Sequence, residues 1–259
     1  MITKERERTL KTIHAGRPPK TINYLNILAF VLTYGANMES YGDVFDLWSP
    51  RQVQRYFCFL TPLKMTPMIM DIVVVFQGAF VIVQMMPRAR NSSVVQDGIG
   101  CWYISAALCH VCLILGFNSF FNAIFTTFGM GALLYCSLRI VKGVSNSSRN
   151  EEHIDAIELF WLFQFPFLLQ VGWYIFVLIW GINVLLTFTV DNIWFDFFAF
   201  LAACGCITWI GIKMPCFREG STDYTIASVL SWAMVSTLVD NANRLVPSIY
   251  PNFAHNKLL

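Results

Sequence analysis

Residues 61–87 read TPLKMTPMIMDIVVVFQGAFVIVQMMP. From Pro67 to Pro87 the run is almost wholly apolar, and about 20 such residues cross a hydrocarbon core of about 30 Å as a helix. Its length and its bounding prolines predict a membrane span over 66–86. One carboxylate, Asp71, breaks the pattern. It lies about five residues inside the span, which is about 7–8 Å deep at 1.5 Å per residue. A charge at the bilayer centre costs roughly 2.5–3.5 kcal/mol on insertion scales. Asp71 therefore needs water, a cation or a hydrogen-bond partner close by.

The rest of the chain repeats this pattern. Of 259 residues, 56% are hydrophobic and only 13% charged, with 23 phenylalanines, against about 25% charged in an average soluble domain. Seven spans are predicted, at 22–38, 66–86, 98–117, 119–141, 165–189, 193–212 and 224–241. The third and fourth are so close that a tight hairpin is expected at Gly116-Phe117-Asn118. With the N-terminus inside, the inner segments hold 13 of the 18 Lys and Arg residues. The positive-inside rule thus supports seven spans, N-terminus in and C-terminus out. The sequons at Asn91 and Asn146 then fall inside and are expected to carry no glycan. The basic start MITKERERTLKTIHAGRPPKT lacks the apolar core of a secretory signal and reads as a membrane-proximal tail. No basic patch with interleaved aromatics points to nucleic acid. Most of the eight cysteines lie in apolar runs, where they act as small hydrophobes, so a disulfide framework is not expected. Before the fifth span, SNSSRNEEHIDAIELFW supplies carboxylates suited to a helix start, and Pro166 predicts a kink or a break.

Few polar groups lie within the spans. Asp71 has two candidate partners. Lys64 is two turns earlier, and His110 of the third span sits at similar depth. An Asp71–His110 hydrogen bond would satisfy both and could bind a ligand or relay a proton. Cys109-His110-Val111-Cys112 resembles a metal motif, but on a helix His110 points about 100° away from Cys109. Two converging thiols fall short of the four ligands zinc prefers, so no metal site is expected. Gln77, Gln84, Gln170 and Asn183 suit helix–helix hydrogen bonds. Gly129, Gly131, Ala132, Ala202, Ala203 and Gly205 permit close helix approach. No nucleophile–base pair, P-loop or dinucleotide fingerprint is present, so catalysis is not expected.

Several stretches in order resemble the TspO/MBR (tryptophan-rich sensory, or translocator protein) family, in particular an algal and protist branch. Thr61, Pro62, Ile69, Gly78, Phe80, Gln84 and Pro87 fit the branch's second span in register. Val95, Gln96, Gly98, Gly100 and Trp102 fit the start of its third, and Pro166, Gly172, Trp173 and Asn183 its proline-led fifth. DYTIASVLSWA (Asp223–Ala233) resembles a later span. The resemblance implies an all-α polytopic bundle. After a tail over 1–21, a five-helix core occupies 22–190, two added helices 191–241, and a C-terminal tail 242–259. It also implies a pocket between helices for a tetrapyrrole such as protoporphyrin or haem, or for a sterol-like lipid. Aromatic lining suits such flat apolar ligands.

This sequence departs from the pattern at the pocket mouth. Met65 and Met70 stand at tryptophan positions, Lys64 and Asp71 at glycine positions, and Gln77 at an acidic one. Two functions follow. One is a non-enzymatic ligand binder using Met65, Met70, Asp71, Gln77, Trp102, His110, Trp173 and Asn183. The other is an accessory subunit of a larger, respiratory membrane complex. A secondary transporter is disfavoured by sparse intramembrane charge and the lack of a repeat. The expected partners are the bilayer and either a second copy or a larger membrane complex, and a mitochondrial membrane is the favoured location.

Overall fold

The computed structural model describes residues 18–47, 68–116, 122–148, 155–189, 193–213 and 224–249, and among them it is all helical apart from short turns. Seven long helices are present: α1 (Thr21–Leu47), α2 (Met68–Val83), α3 (Gly100–Gly116), α4 (Asn122–Ser148), α5 (Phe165–Thr189), α6 (Ile193–Lys213) and α7 (Thr225–Ile249). The resemblance predicted an all-α bundle, and the described residues form one. Each helix falls on an expected span, while α1, α4 and α7 run several residues further. Among the described residues, Ala156–Asn183 is by itself long and apolar enough to cross a membrane, and Met68–Val83, Phe197–Lys213 and Thr225–Val239 are shorter apolar helices. The predicted Gly116–Asn118 hairpin has its tip outside the described residues.

The packing order makes α1 to α5 a closed ring. α1 packs on α2 and α3, α2 on α5, α5 on α4, and α4 back on α3. α6 and α7 pack against each other and against α5, outside the ring. The pattern of side chains explains this closure. On α2, Ile69, Val73, Gln77, Phe80 and Val81 recur at helical spacing and are buried. On α1 it is Asn23, Asn26 and Ala29.

Phe80 lies at the centre of one half of the ring. Its ring meets Tyr103, Phe163 and Phe167 edge-on, with centroids 5.6, 5.9 and 5.7 Å away. Such T-shaped contacts add to plain burial. At the same end a second set of groups ties α1 to the turn after α2. Asn23 Nδ2 donates to the carbonyls of Gln84 (2.9 Å) and Arg90 (3.1 Å). Asn26 Nδ2 donates to Gln84 Oε1 at 2.9 Å, and Gln96 Nε2 donates to Asn23 Oδ1 at 3.0 Å. Asn23 thus satisfies carbonyls of the turn that follows α2, and the Asn26 and Gln96 bonds hold Gln84 and Asn23 in place. Arg88 adds an ion pair to Glu158 at 2.8 Å.

Two π-helical turns precede the ring helices. Val94–Ile99 leads into α3 through Gly100, whose φ of +34° is open to glycine without a Cβ penalty. Gly98 in that turn meets Gly143 of α4 backbone to backbone; a Cβ on Gly143 would overlap the Gly98 carbonyl oxygen. Leu159–Gln164 leads into α5, with Phe165 N–H bonded to the Phe160 carbonyl. The break anticipated at Pro166 is therefore a π-helical turn. A widened turn accommodates the missing proline N–H and the lead-in continues into α5.

Candidate functional site

In the other half of the ring a line of polar side chains runs beside the apolar cluster of Ala106, Leu113, Leu133 and Cys136. Gln77 (α2), Tyr103 and His110 (α3), and Gln170 and Tyr174 (α5) form one hydrogen-bonded thread. Tyr103 Oη donates to Gln77 Oε1 at 3.5 Å. Gln77 Nε2 donates to Gln170 Oε1 at 3.0 Å, and Gln170 Nε2 donates to the Tyr174 hydroxyl at 2.8 Å. The Tyr174 oxygen then lies 3.4 Å from His110 Nδ1. The Tyr174 hydroxyl accepts from Gln170, and whether it also donates to Nδ1 or accepts from it follows from the His110 tautomer.

Local helix geometry assembles this thread. Gln170 and Tyr174 are i and i+4 on α5 and so share a face. Phe167 lies on the same face one turn earlier. Gln77 is one turn before Phe80 on α2. The thread thus continues upward from the aromatic cluster. Gln77, Gln170, Tyr103 and Tyr174 are all buried, and a buried amide or phenol without a partner costs about 1–3 kcal/mol. The two inner bonds have ordinary lengths. The two end bonds, at 3.5 and 3.4 Å, exceed the usual 2.7–3.2 Å range. An incoming polar group competes most easily with these slack ends, at Tyr103 and at the Tyr174–His110 junction.

The residues singled out from the sequence are only partly brought together. Gln77 and His110 both belong to the thread. Asp71 lies on the exposed flank of α2, beside Met68, Ile72 and Val75, which are themselves exposed. The group found beside His110 Nδ1 is the Tyr174 oxygen. Met70 packs at the edge of a cluster of Ile69, Val73, Leu169 and Val229. Trp102 lies in the α3–α4 seam, edge-on to Tyr135, with the Arg139 guanidinium 4.7 Å from its ring centre. Trp173 joins the core clusters around α5 and leans on Phe176, 5.9 Å between centroids. Asn183 is nine residues after Tyr174, about 180° around the helix, so it turns away from the thread. It is buried, and its Oδ1 has no hydrogen-bond partner among the described residues. Met65 lies outside the described residues. Three members of the thread, Tyr103, Gln170 and Tyr174, were not among the expected site residues. The available signal was two tyrosines inside apolar runs, because a buried phenol needs a partner.

The outer surface has the opposite character. Phe128 is 77% exposed, Val75 69%, Trp194 69% and Trp209 63%. Polar groups inside and large apolar groups outside are the build of an integral membrane protein. A family model described as TSPO-like protein matches residues 23–251, nearly the whole chain. The chain belongs to this TSPO-like family and is a membrane protein. No match was found among curated proteins or solved structures.

Proposed function

We infer that the chain binds a hydrophobic ligand, a tetrapyrrole or a sterol-like lipid, within the ring of α1 to α5. The polar thread carries this inference: five side chains from three helices converge in the interior of a TSPO-like chain, with slack bonds at both ends. Apolar and aromatic walls would hold the body of the ligand, while Tyr174 and His110 would meet its polar group. The role is binding, not catalysis. A second function, as a subunit of a larger membrane complex, is favoured by the position of Asp71. A carboxylate on an exposed apolar flank suits a protein neighbour better than lipid. We also propose that all seven helices cross the membrane, N-terminus inside. The charge asymmetry supports this.

The test is titration of the detergent-purified chain with protoporphyrin and, separately, with a sterol, followed by quenching of tryptophan fluorescence and by thermal stabilisation. Saturable binding to wild type is expected. Tyr174→Phe should weaken it about threefold to tenfold, the worth of one hydrogen bond. Absence of saturable binding of both ligands to a folded wild type would reject the assignment. Migration of the native protein only within a large complex would favour the second function.

A further inference from the structure

Trp102, Tyr135, Arg139 and Lys142 form a patch on the outer side of the α3–α4 seam, distinct from the polar thread. Tyr135, Arg139 and Lys142 are spaced i, i+4, i+7 on α4, within about 60° of one another around the helix. All three are exposed. Arg139 is held over the Trp102 ring at 4.7 Å, and Tyr135 meets the same ring edge-on at 5.8 Å. Among the described residues neither Arg139 nor Lys142 has an ion pair. Asp97 is the acid to account for. It is exposed on the π-helical turn one residue before Gly98, and Lys142 is one residue before Gly143 on α4, so both acid and base flank the Gly98–Gly143 crossing in sequence.

Depth decides what such a patch meets. The apolar run expected as the fourth span ends at 141, which puts Lys142 at the hydrocarbon boundary. Arg139 is then about 4–5 Å short of the boundary, within the reach of a long side chain that extends its charge to the interface. An aromatic platform under a guanidinium, with a lysine one turn further out, presents two cations at phosphate level and an apolar seam at acyl-chain level.

The geometry points to a binding site for an anionic phospholipid at the α3–α4 seam, its phosphate between Arg139 and Lys142 and its acyl chain along Tyr135. The stacked Arg139 loses little freedom when it binds, and its fork suits phosphate oxygens. Asp97 opposes the anion and limits its affinity. This site is independent of the ligand proposed for the ring interior.

Native mass spectrometry of the full-length chain, released from mixed phosphatidylglycerol–phosphatidylcholine bilayers, tests the site. Wild type is expected to retain phosphatidylglycerol in preference to phosphatidylcholine. Each cation near an anionic surface is worth about fivefold, so Arg139→Gln and Lys142→Gln should each reduce the preference by about that factor. Asp97→Asn should raise it, and this variant disturbs neither the helix crossing nor the Trp102 stack. Wild type without a headgroup preference, or Gln variants that keep it unchanged, would overturn the proposal. If millimolar inorganic phosphate displaced the lipid completely, the site would belong to a free anion. Should the Gln variants not fold, the Asp97→Asn result decides: an unchanged preference rejects the site.

Discussion

Gln170 is the residue on which the interior depends most. It accepts from Gln77 and donates to Tyr174, so its loss leaves a buried donor and a buried acceptor short at once. Gln170→Leu should lower stability by about 1–3 kcal/mol, read as a lower thermal transition in detergent. Tyr174→Phe removes one hydroxyl at a slack junction and should cost less stability than Gln170→Leu while lowering ligand affinity. That difference separates a binding group from a packing group. At this scale the sequence was half legible. Gln77 and His110 stand out as polar residues in apolar runs. Tyr103 and Tyr174 do not, because a tyrosine in a membrane helix is as often interfacial as buried. Asn183 fits its motif position equally well, yet its angle on α5 takes it to the other side.

The elements are joined where their backbones come close. Gly98 and Gly143 let the π-helical turn lie against α4, and Gly100 supplies the positive φ that starts α3. Gly143→Ala would force a methyl group into the Gly98 carbonyl and should cost about 1–3 kcal/mol by overpacking. A reduced thermal transition, with helicity unchanged by circular dichroism, is the expected result. The same crossing explains why α4 continues beyond the expected end at 141. Contact with the turn before α3 extends as far as Ser147, whose carbonyl accepts from Ser93 Oγ at 3.4 Å. Apolar periodicity ends where the hydrocarbon ends, whereas a helix continues as long as something packs on it. The first π-helical turn is likewise absent from any local pattern and lies against Gly143, whereas the second precedes Pro166, the break that the local sequence announces.

For the whole molecule, the ring order α1–α2–α5–α4–α3 places the aromatic cluster and the polar thread in one interior, with α6 and α7 outside α5. A reporter fused to either end tests the proposed topology: the N-terminal fusion should be protected on the inner side and the C-terminal one accessible outside. Asn91 and Asn146 should carry no glycan in cell extracts. Asn91 has a second obstacle, since its Nδ2 is buried and the following Ser92 is buried too. A glycan at either site would reverse the assigned sides.

Composition and apolar run length determined by themselves that this is a helical membrane protein and where its helices fall, because the hydrocarbon thickness sets the length of apolar run a span needs. The charge distribution supplied an expected direction for the chain, which the reporter fusions test. Order and spacing of short motifs carried the family. Only tertiary structure decided which polar residues meet. Angle around each helix, the pairing of helices in the ring and the close glycine crossings together put Gln77, Gln170, Tyr174 and His110 in line and left Asp71 outside. Those choices arise from contacts between residues tens of positions apart, such as Gln77 with Gln170, and no local pattern encodes them.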